Sequence, residues 1–497
     1  MKKKSVIIIG AGPGGLASAM ILASQGNKVT VFEKQEQVGG RTSAIHTNGY
    51  TFDKGPTFLS MPYLLEELFT LAGRKMDDYL TLTEVDPLYE LRFDGLRFSP
   101  SRDQAVTKQE IETLFPGNGE GYERFMKDND IKMERLMPLL QNSFQSIFDY
   151  FRWRTIRALP HLTLNQSLYD VLGNYFTDEE LKLAFTFQSK YLGMSPWECP
   201  GAFSILSYME HKYGIFHPIG GLNQIPKAFA KVTEEYGGVI HTGVGVKQLL
   251  VANKKVLGVL LETGEKVLAD DVIVNADFAH AITSFIEETP VKRYTREKIN
   301  KKDFSCSTFM LYLGLDQTYE LPHHTVLFSS DYKKNVEEIS TRKVLSEQPS
   351  IYVQNAGVTD STLAPEGKST LYILAPVPNN TSLLDWESEK LAFRELVLNQ
   401  VEMKLGISIR DHIEVEQLIT PMDWENELNV YQGATFNLSH RLRQMMYFRP
   451  HNKFEELENL WLVGGGTHPG SGLPTIFESA KITIAEMKKQ ERKQRGA

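Results

Sequence analysis

The hydrophobic pattern of this chain changes period within its first thirty residues. Val6-Ile7-Ile8-Ile9 is a continuous apolar run, as in a parallel strand covered on both faces. Glycines follow at once. Leu16 to Gln25 then reads as a helix, and Lys28-Val29-Thr30-Val31-Phe32 predicts a second strand ending in Glu33. Strand character returns twice, much later. Gly238 to Val246 alternates as a strand should, Val256 to Leu261 with Thr263-Gly264 reads as a hairpin-like pair, and Ala269 to Ala276 predicts a further strand. Leu460 to Val463 repeats the buried-strand pattern, and a helix-like run from Thr475 to Lys489 follows a glycine-rich loop. No stretch of about 18 apolar residues occurs, so no spanning helix is expected. Lysines precede Val6 as in a signal peptide, but the apolar run is too short to be one.

The loop after the first strand is Gly10-Ala11-Gly12-Pro13-Gly14-Gly15, with glycines in GxGxxG order at 10, 12 and 15. Gly10 permits the tight strand-to-helix turn, Gly12 lets the backbone approach a pyrophosphate, and Gly15 lets the helix pack close to the sheet. The phosphates would face the helix N-terminus, where free N–H groups and the dipole favour anions. Glu33, 23 positions after Gly10, can accept hydrogen bonds from ribose hydroxyls and would repel a 2′-phosphate. Strand, glycines, helix, strand and acid in register predict a dinucleotide site. Val38-Gly39-Gly40-Arg41 and Asp53-Lys54-Gly55-Pro56-Thr57 continue the unit. The later loop Gly464 to Pro474 lies between a strand and a helix, which again suits an anion.

At 497 residues the chain exceeds the size of one hydrophobic core, so two or more domains are expected. Hydrophobic residues at 41% and charged residues at 23% fit a globular protein. A net charge of -8 argues against a nucleic-acid partner. Cys199 and Cys306 are the only cysteines, which excludes a disulfide framework or thiolate cage and fits a reducing compartment. No HExxH spacing accompanies His211 or His217, so no metal is expected.

The series GxGxxG, Glu33, Gly39-Gly40-Arg41 resembles the signature of the glutathione-reductase-like flavoproteins, in particular their amine oxidase and phytoene desaturase branch. Asp53 to Thr57 resembles that family's D-x-G-P segment beside the flavin. Gly466-Thr467-His468-Pro469-Gly470 through Pro474 looks like the C-terminal signature of bacterial-type carotenoid desaturases. Phe185 to Gly193 with Pro196 resembles the family's Q-x-x-Y-x-G-x-x-P run, and His211 to Gly221 its G-x-x-x-P-x-G-G segment. The resemblance spans nearly the whole chain and is nearest to the C30 diapocarotenoid desaturases and related oxidases of Gram-positive bacteria.

The resemblance implies an α/β, glutathione-reductase-like FAD-binding Rossmann fold with a discontinuous α+β substrate domain. Residues 1–75, 235–285 and 450–497 would bind FAD; 90–230 and 290–445 would bind substrate and associate with the membrane. It implies FAD held noncovalently by Gly10, Gly12, Gly14, Gly15, Glu33, Lys34, Gly39, Gly40, Arg41, Gly55, Pro56, Thr57, Gly465, Gly466 and Pro474, with the backbone of Val244 or Val246 at the adenine. The implied activity is desaturation of an acyclic carotenoid precursor, of the dehydrosqualene (C30) or phytoene (C40) type. The implied place is peripheral, on the cytoplasmic side of the cell membrane, in association with other enzymes of the carotenoid pathway.

Flavin carries the difficult step in such chemistry and the protein supplies orientation, so no Ser/His/Asp triad or carboxylate pair is required. Arg152, His217 and His468 are the catalytic candidates, each with a structural role as its alternative. Tyr150 to Ser167 holds Arg152, Arg154, Arg157 and His161 but no acid, and Phe144, Ile147, Phe148, Phe151 and Ile156 sit near helical spacing. Such a segment suits the headgroup layer of a membrane; its alternative is internal core. Three rival readings stand beside desaturation. Oxidation of a carotenoid terminal methyl to an aldehyde is suggested by Gly55 to Tyr63. A covalent-flavin amine oxidase would want a cysteine near the last glycine loop, and Cys199 and Cys306 both lie far upstream, which counts against it. The third is a flavin-bound carotenoid carrier.

Overall fold

The computed structural model describes residues 3–163, 165–286 and 291–495; Leu164 of the basic aromatic stretch and the side chain of Tyr191 lie outside the described residues. Five parallel strands form the nucleotide-side sheet: β1 (Ser5–Ile9), β2 (Lys28–Phe32), β3 (Val239–His241), β4 (Asp271–Val274) and β5 (Leu460–Leu462), in the order β3-β2-β1-β4-β5. The continuous apolar run of β1 is explained by its central place. Val6 and Ile8 face one core, with Leu16 and Met20, while Ile7 and Ile9 face another, with Val256 and Val259. Helix α1 (Pro13–Ser24) is buried from Pro13 to Ala23, which explains its glycines, alanines and serines. It packs between α2 (Gln224–Glu235) and α3 (Leu473–Arg495).

The alternating run Gly238–Val246 does not form one strand. β3 ends at His241, the chain turns through Gly243 at φ +67°, and Val246–Ala252 starts an antiparallel meander with Lys255–Leu261 and Lys266–Leu268. A left-handed residue inside the run breaks the extended path that alternation suggests.

The other large sheet has seven strands, in the order Ile413–Ile419, Ser307–Leu315, Ser369–Val377, Ile351–Gln354, His324–Leu327, Glu90–Phe93 and Leu96–Phe98. One face is apolar: Phe309, Leu311, Leu313, Leu371, Ile373 and Val353 pack with Phe393, Val397 and Val401 of helix Trp386–Leu405. Side chains alternate across a strand, so the register sets a different row on the opposite face. Tyr312 pairs with Tyr372, Tyr372 with Gln354, and Gln354 with His324. This row faces the nucleotide side.

Helices dominate residues 104–213, including Gln104–Leu114, Gly119–Leu140 and Ile205–Tyr213. The aromatic, basic stretch is a chain of short turns rather than one helix: Ile147–Phe151, Trp153–Ala158 and Leu159–Leu162. A capping box of Ser146 and Asp149 starts the first turn, and Pro160 opens the third. Among the described residues no helix is long and apolar enough to cross a membrane.

Candidate functional site

The glycines and acids singled out along the sequence converge on one track. At its start, Glu33 at the end of β2 accepts from the Ala11 N–H through Oε2 (2.7 Å) and from Gln35 N–H through Oε1 (2.9 Å). Each carboxylate oxygen keeps a lone pair for a further donor. Lys34 beside it is exposed. The Gly39 N–H donates to Ala11 O at 2.8 Å, which ties the second glycine pair to the first loop. Gly39 and Gly40 adopt left-handed backbone (φ +116° and +55°), and a β-carbon at Gly40 would meet the Gly12 α-carbon at 3.6 Å, so the two glycine loops lie against each other. Gly14 and Gly15 lie in the first turn of α1, where N–H groups have no intrahelical acceptor. Val244 donates its N–H to the Glu33 carbonyl (2.9 Å), whereas Val246 pairs with Leu261 in the meander.

Two asparagines that the sequence alone did not single out hold the track together. Asn275, just beyond β4, reaches Gly10, and β-carbons at Gly12, Gly14 and Gly15 would all strike its side chain within 3 Å. Asn437, with its amide oriented by its partners, donates to Asp277 Oδ2 at 2.7 Å and accepts from Arg41 Nη2 at 2.9 Å. β-Carbons at Gly465 and Gly466 would lie 3.3 and 3.4 Å from the same amide. Burial lowers the pKa of Arg41 and raises that of Asp277, each opposed by the charge of the other. Arg41 Nη1 also donates to Thr435 O at 2.7 Å, while the buried Thr435 Oγ1 has no partner among the described residues. A buried hydroxyl left in that state suits contact with a ligand. An open glycine floor, a helix N-terminus, Glu33 and this hydroxyl together fit FAD.

The track ends at the seven-stranded sheet. A β-carbon at Gly55 would lie 2.5 Å from Arg41 O, so the two segments run in contact. Asp53, buried, accepts from the N–H groups of Leu222 and Asn223, which anchors α2; burial raises its pKa against those bonds. The tyrosine row grips the segment just beyond Asp53. Tyr312 donates to Lys54 O (2.5 Å), Tyr372 to Gly55 O (2.8 Å) and Gln354 Nε2 to Thr57 O (3.2 Å). Pro56 is half-buried between them.

The last glycine loop closes the other side. Gly464, at φ +113°, approaches Asn275, and Pro474 sits in the first turn of α3. Arg449 supports the loop from below with no exposed surface, donating through Nε to Thr467 O (3.1 Å) and through Nη2 to Gly465 O (2.7 Å). Burial lowers its pKa to about 9, and no carboxylate pairs with it among the described residues. Nothing in its local sequence marked it, because its partners are backbone carbonyls.

Arg152, His217 and His468 are not brought together. Arg152 is half-exposed and bound to Asp149 at 2.6 Å. His217 is buried against Asp360 at 3.0 Å; burial opposes ionisation of that carboxyl, but bonds from His217, Thr362 and Gly220 hold it well below the carboxylate range. His468 lies 2.9 Å from Asn142 O and is held neutral by burial, its pKa pushed down to about 4. No metal-binding cluster of His, Cys, Asp and Glu occurs among the described residues.

The profile of the flavin containing amine oxidoreductases matches residues 13–486. A 4,4'-diapophytoene desaturase (4,4'-diapolycopene-forming) of Methylomonas sp is 48% identical, over 97% of this chain and 94% of that protein. An all-trans-zeta-carotene desaturase of Myxococcus xanthus is 37% identical (96% and 92%), and a 4,4'-diapophytoene desaturase of Staphylococcus aureus 33% (97% and 98%). Among solved structures, an oxidoreductase from Methanosarcina mazei superposes with a TM-score of 0.66 at 19% identity, covering 97% of this chain and 100% of that one. A putrescine oxidase variant gives 0.62 at 16%, covering 98% and 99%. These two likenesses show the fold, a mixed α/β architecture. The chain belongs to the flavin containing amine oxidoreductase family, in its carotenoid desaturase branch.

Proposed function

We propose that this protein is an FAD-dependent desaturase that introduces double bonds into an acyclic carotenoid precursor. The observation that carries the reading is the 48% identity, over 97% of the chain, to a diapophytoene desaturase, and it favours a C30 substrate over a C40 one. The track Gly10–Gly15, Glu33, Gly39–Arg41, Gly55–Thr57 and Gly464–Pro474 would hold the cofactor, with the segments 90–230 and 290–445 serving the substrate. When bound, FAD supplies a hydride acceptor. The chain's own task is to seat an apolar polyene beside that acceptor, exclude water, and remove the proton left behind.

A long hydrocarbon stays in the bilayer at about 0.8 kcal/mol for each buried CH2, so the enzyme must meet its substrate there. Phe148, Phe151 and Trp153 are 74%, 72% and 70% exposed, on the consecutive short turns within 147–158. Burying each in lipid is worth about 2 kcal/mol. We assign this patch to peripheral docking on the cytoplasmic leaflet. Of the three arginines, Arg152 is bound to Asp149 and Arg154 to Asn142 Oδ1 (2.9 Å). Arg157, over the Trp153 ring at 5.7 Å, is the one left for a lipid headgroup.

The test is coexpression with enzymes that make C30 or C40 precursors, followed by identification of the extracted pigments. Desaturated C30 pigment is expected. An aldehyde from added, already desaturated carotenoid, with none from the precursor, would replace this reading by terminal oxidation.

A further inference from the structure

The face of the seven-stranded sheet that meets Thr57 carries more polar chemistry than holding a loop requires. The Tyr352 hydroxyl stands 2.8 Å from Thr57 Oγ1 and 2.6 Å from His324 Nδ1. One hydroxyl proton cannot serve both neighbours, so the line has two hydrogen-bond directions. In one, Nδ1–H donates to Tyr352 and Tyr352 to Thr57. In the other, Thr57 donates to Tyr352 and Tyr352 to Nδ1. The second is the resting arrangement of the relay, with the neutral ring's proton on Nε2; passing to the first takes one proton in at Thr57 and leaves the ring charged.

His324 ends that line. It is 2% exposed, and its Nε2 has no partner among the described residues. Its ring lies 4.3 Å from that of His323 and 5.6 Å from that of Phe58. His323 is engaged elsewhere, with Thr359 Oγ1 (2.7 Å) and Gln354 (3.1 Å), and His217 is held by Asp360. A buried imidazole with one hydrogen-bonded and one unsatisfied nitrogen is costly, and calls for an explanation beyond packing.

We propose that Thr57, Tyr352 and His324 form the line along which the proton released in each dehydrogenation leaves the substrate, with the His324 imidazole as its acceptor. The inference rests on the reading that Gly55–Thr57 borders the flavin. One hydrogen of the –CH2–CH2– unit leaves as hydride to FAD, the oxidant. The other leaves as a proton to Thr57 Oγ, while the Thr57 proton passes to Tyr352 and the Tyr352 proton to Nδ1. The electron pair of that second C–H bond becomes the new π bond, and an imidazolium remains for later release. Burial, with His323 and His217 adding to it, holds the imidazole neutral between turnovers and drives the accepted proton off again once the step is over. A proton next to an allylic cation is so acidic that a weak base suffices. Tyr352 and His324 act through Thr57, so they are relay residues.

The test uses FAD-loaded protein on vesicles containing 4,4'-diapophytoene, comparing wild type with Y352F and H324Q. Wild type without FAD or without pigment formation would refute the underlying reading before any variant is needed. If the relay exists, both variants keep their FAD and their KM, while kcat per bound FAD falls about tenfold or more, the low end for assisted proton transfer. Nitrogen NMR of histidine-labelled protein should also show His324 exchange its single wild-type tautomer for a mixture in Y352F. Retention of kcat within about twofold in Y352F overturns the relay. Loss of FAD from Y352F also overturns it, because the hydroxyl would then merely hold the loop. Should H324Q not fold, the near-isosteric Y352F decides alone.

Discussion

Asn275 Nδ2 donates to the carbonyl oxygen of Gly10 at 3.2 Å, so a side chain from beyond β4 fixes the turn at which β1 ends. The same amide fills the space behind Gly12, Gly14 and Gly15. Removing it by N275A should cost about 1 kcal/mol of stability and weaken FAD binding without abolishing the fold. G15V should lose FAD outright, since a β-carbon there would stand 2.4 Å from Gly10 O. Flavin absorbance of the purified variants, before and after adding FAD, checks both. Full flavin content in G15V would show that this turn does not shape the site.

The nucleotide half of this site was readable because its determinants are local. GxGxxG, Glu33 and the β1–α1–β2 periodicity lie within 33 consecutive residues, and a strand buried on both faces announces itself as an apolar run. Asn275, Asn437 and Arg449 are not marked in the sequence because they act on backbone or on residues more than 150 positions away, and an isolated polar residue carries no period. The tyrosine row escaped for a related reason. Tyr312, Tyr372 and Gln354 become neighbours only through strand register, and Ser307–Leu315 is buried along its whole length, which masks alternation. The split of Gly238–Val246 rests on one residue, Gly243, and the broken helix at 147–162 on the Ser146–Asp149 pair.

Docking should depend on aromatic side chains more than on arginines. Replacing Phe148, Phe151 and Trp153 together by aspartate should reduce sedimentation with anionic liposomes by more than about tenfold, given about 2 kcal/mol for each buried ring. FAD content should not change, because these side chains are exposed. R157E should weaken binding in low salt only, whereas R152E should also disturb the Asp149 cap and lower Tm. Undiminished sedimentation of the triple variant would place docking elsewhere.

Acid should unfold this protein readily. Burial pushes the pKa values of His211 and His323 down to about 3 and that of His468 to about 4, from an ordinary 6.5. In each case the unfolded chain binds the proton that the folded chain refuses. Their stabilising contribution is therefore complete above pH 6.5 and is lost as pH falls towards 3–4. Each removes about 1.4 kcal/mol per pH unit once below 6.5. Tm measured with saturating FAD should drop steeply between pH 6.5 and 5. H211Q can still bond Tyr89 and Tyr122 but cannot charge, so its slope should be shallower. A flat Tm across that range would contradict the burial of these rings.

Arg449 should be needed for the last glycine loop to keep its shape. R449M leaves Thr467 O without its donor and Gly465 O with only Ser471 Oγ at 3.3 Å, and should cost about 1–3 kcal/mol, together with much of the FAD affinity. R449K restores the charge but not the fork, so partial recovery is expected. Calorimetry and FAD titration separate the two effects. Unchanged FAD affinity in R449M would show that the loop holds its shape unaided.

The order of the five-stranded sheet also sets a timetable. Its central strand is synthesised first, yet the neighbour β4 arrives after residue 271 and β5 after residue 460. At 5–20 residues per second, roughly 13 to 50 seconds separate β1 from β4, its second neighbour. During that interval β1 has one open edge and a fully apolar surface, the condition under which nascent chains recruit chaperones. A ribosome stalled anywhere before β5 releases a chain without the last glycine loop. On the proposed cofactor track, bound flavin therefore marks chains that have been extended past Pro474.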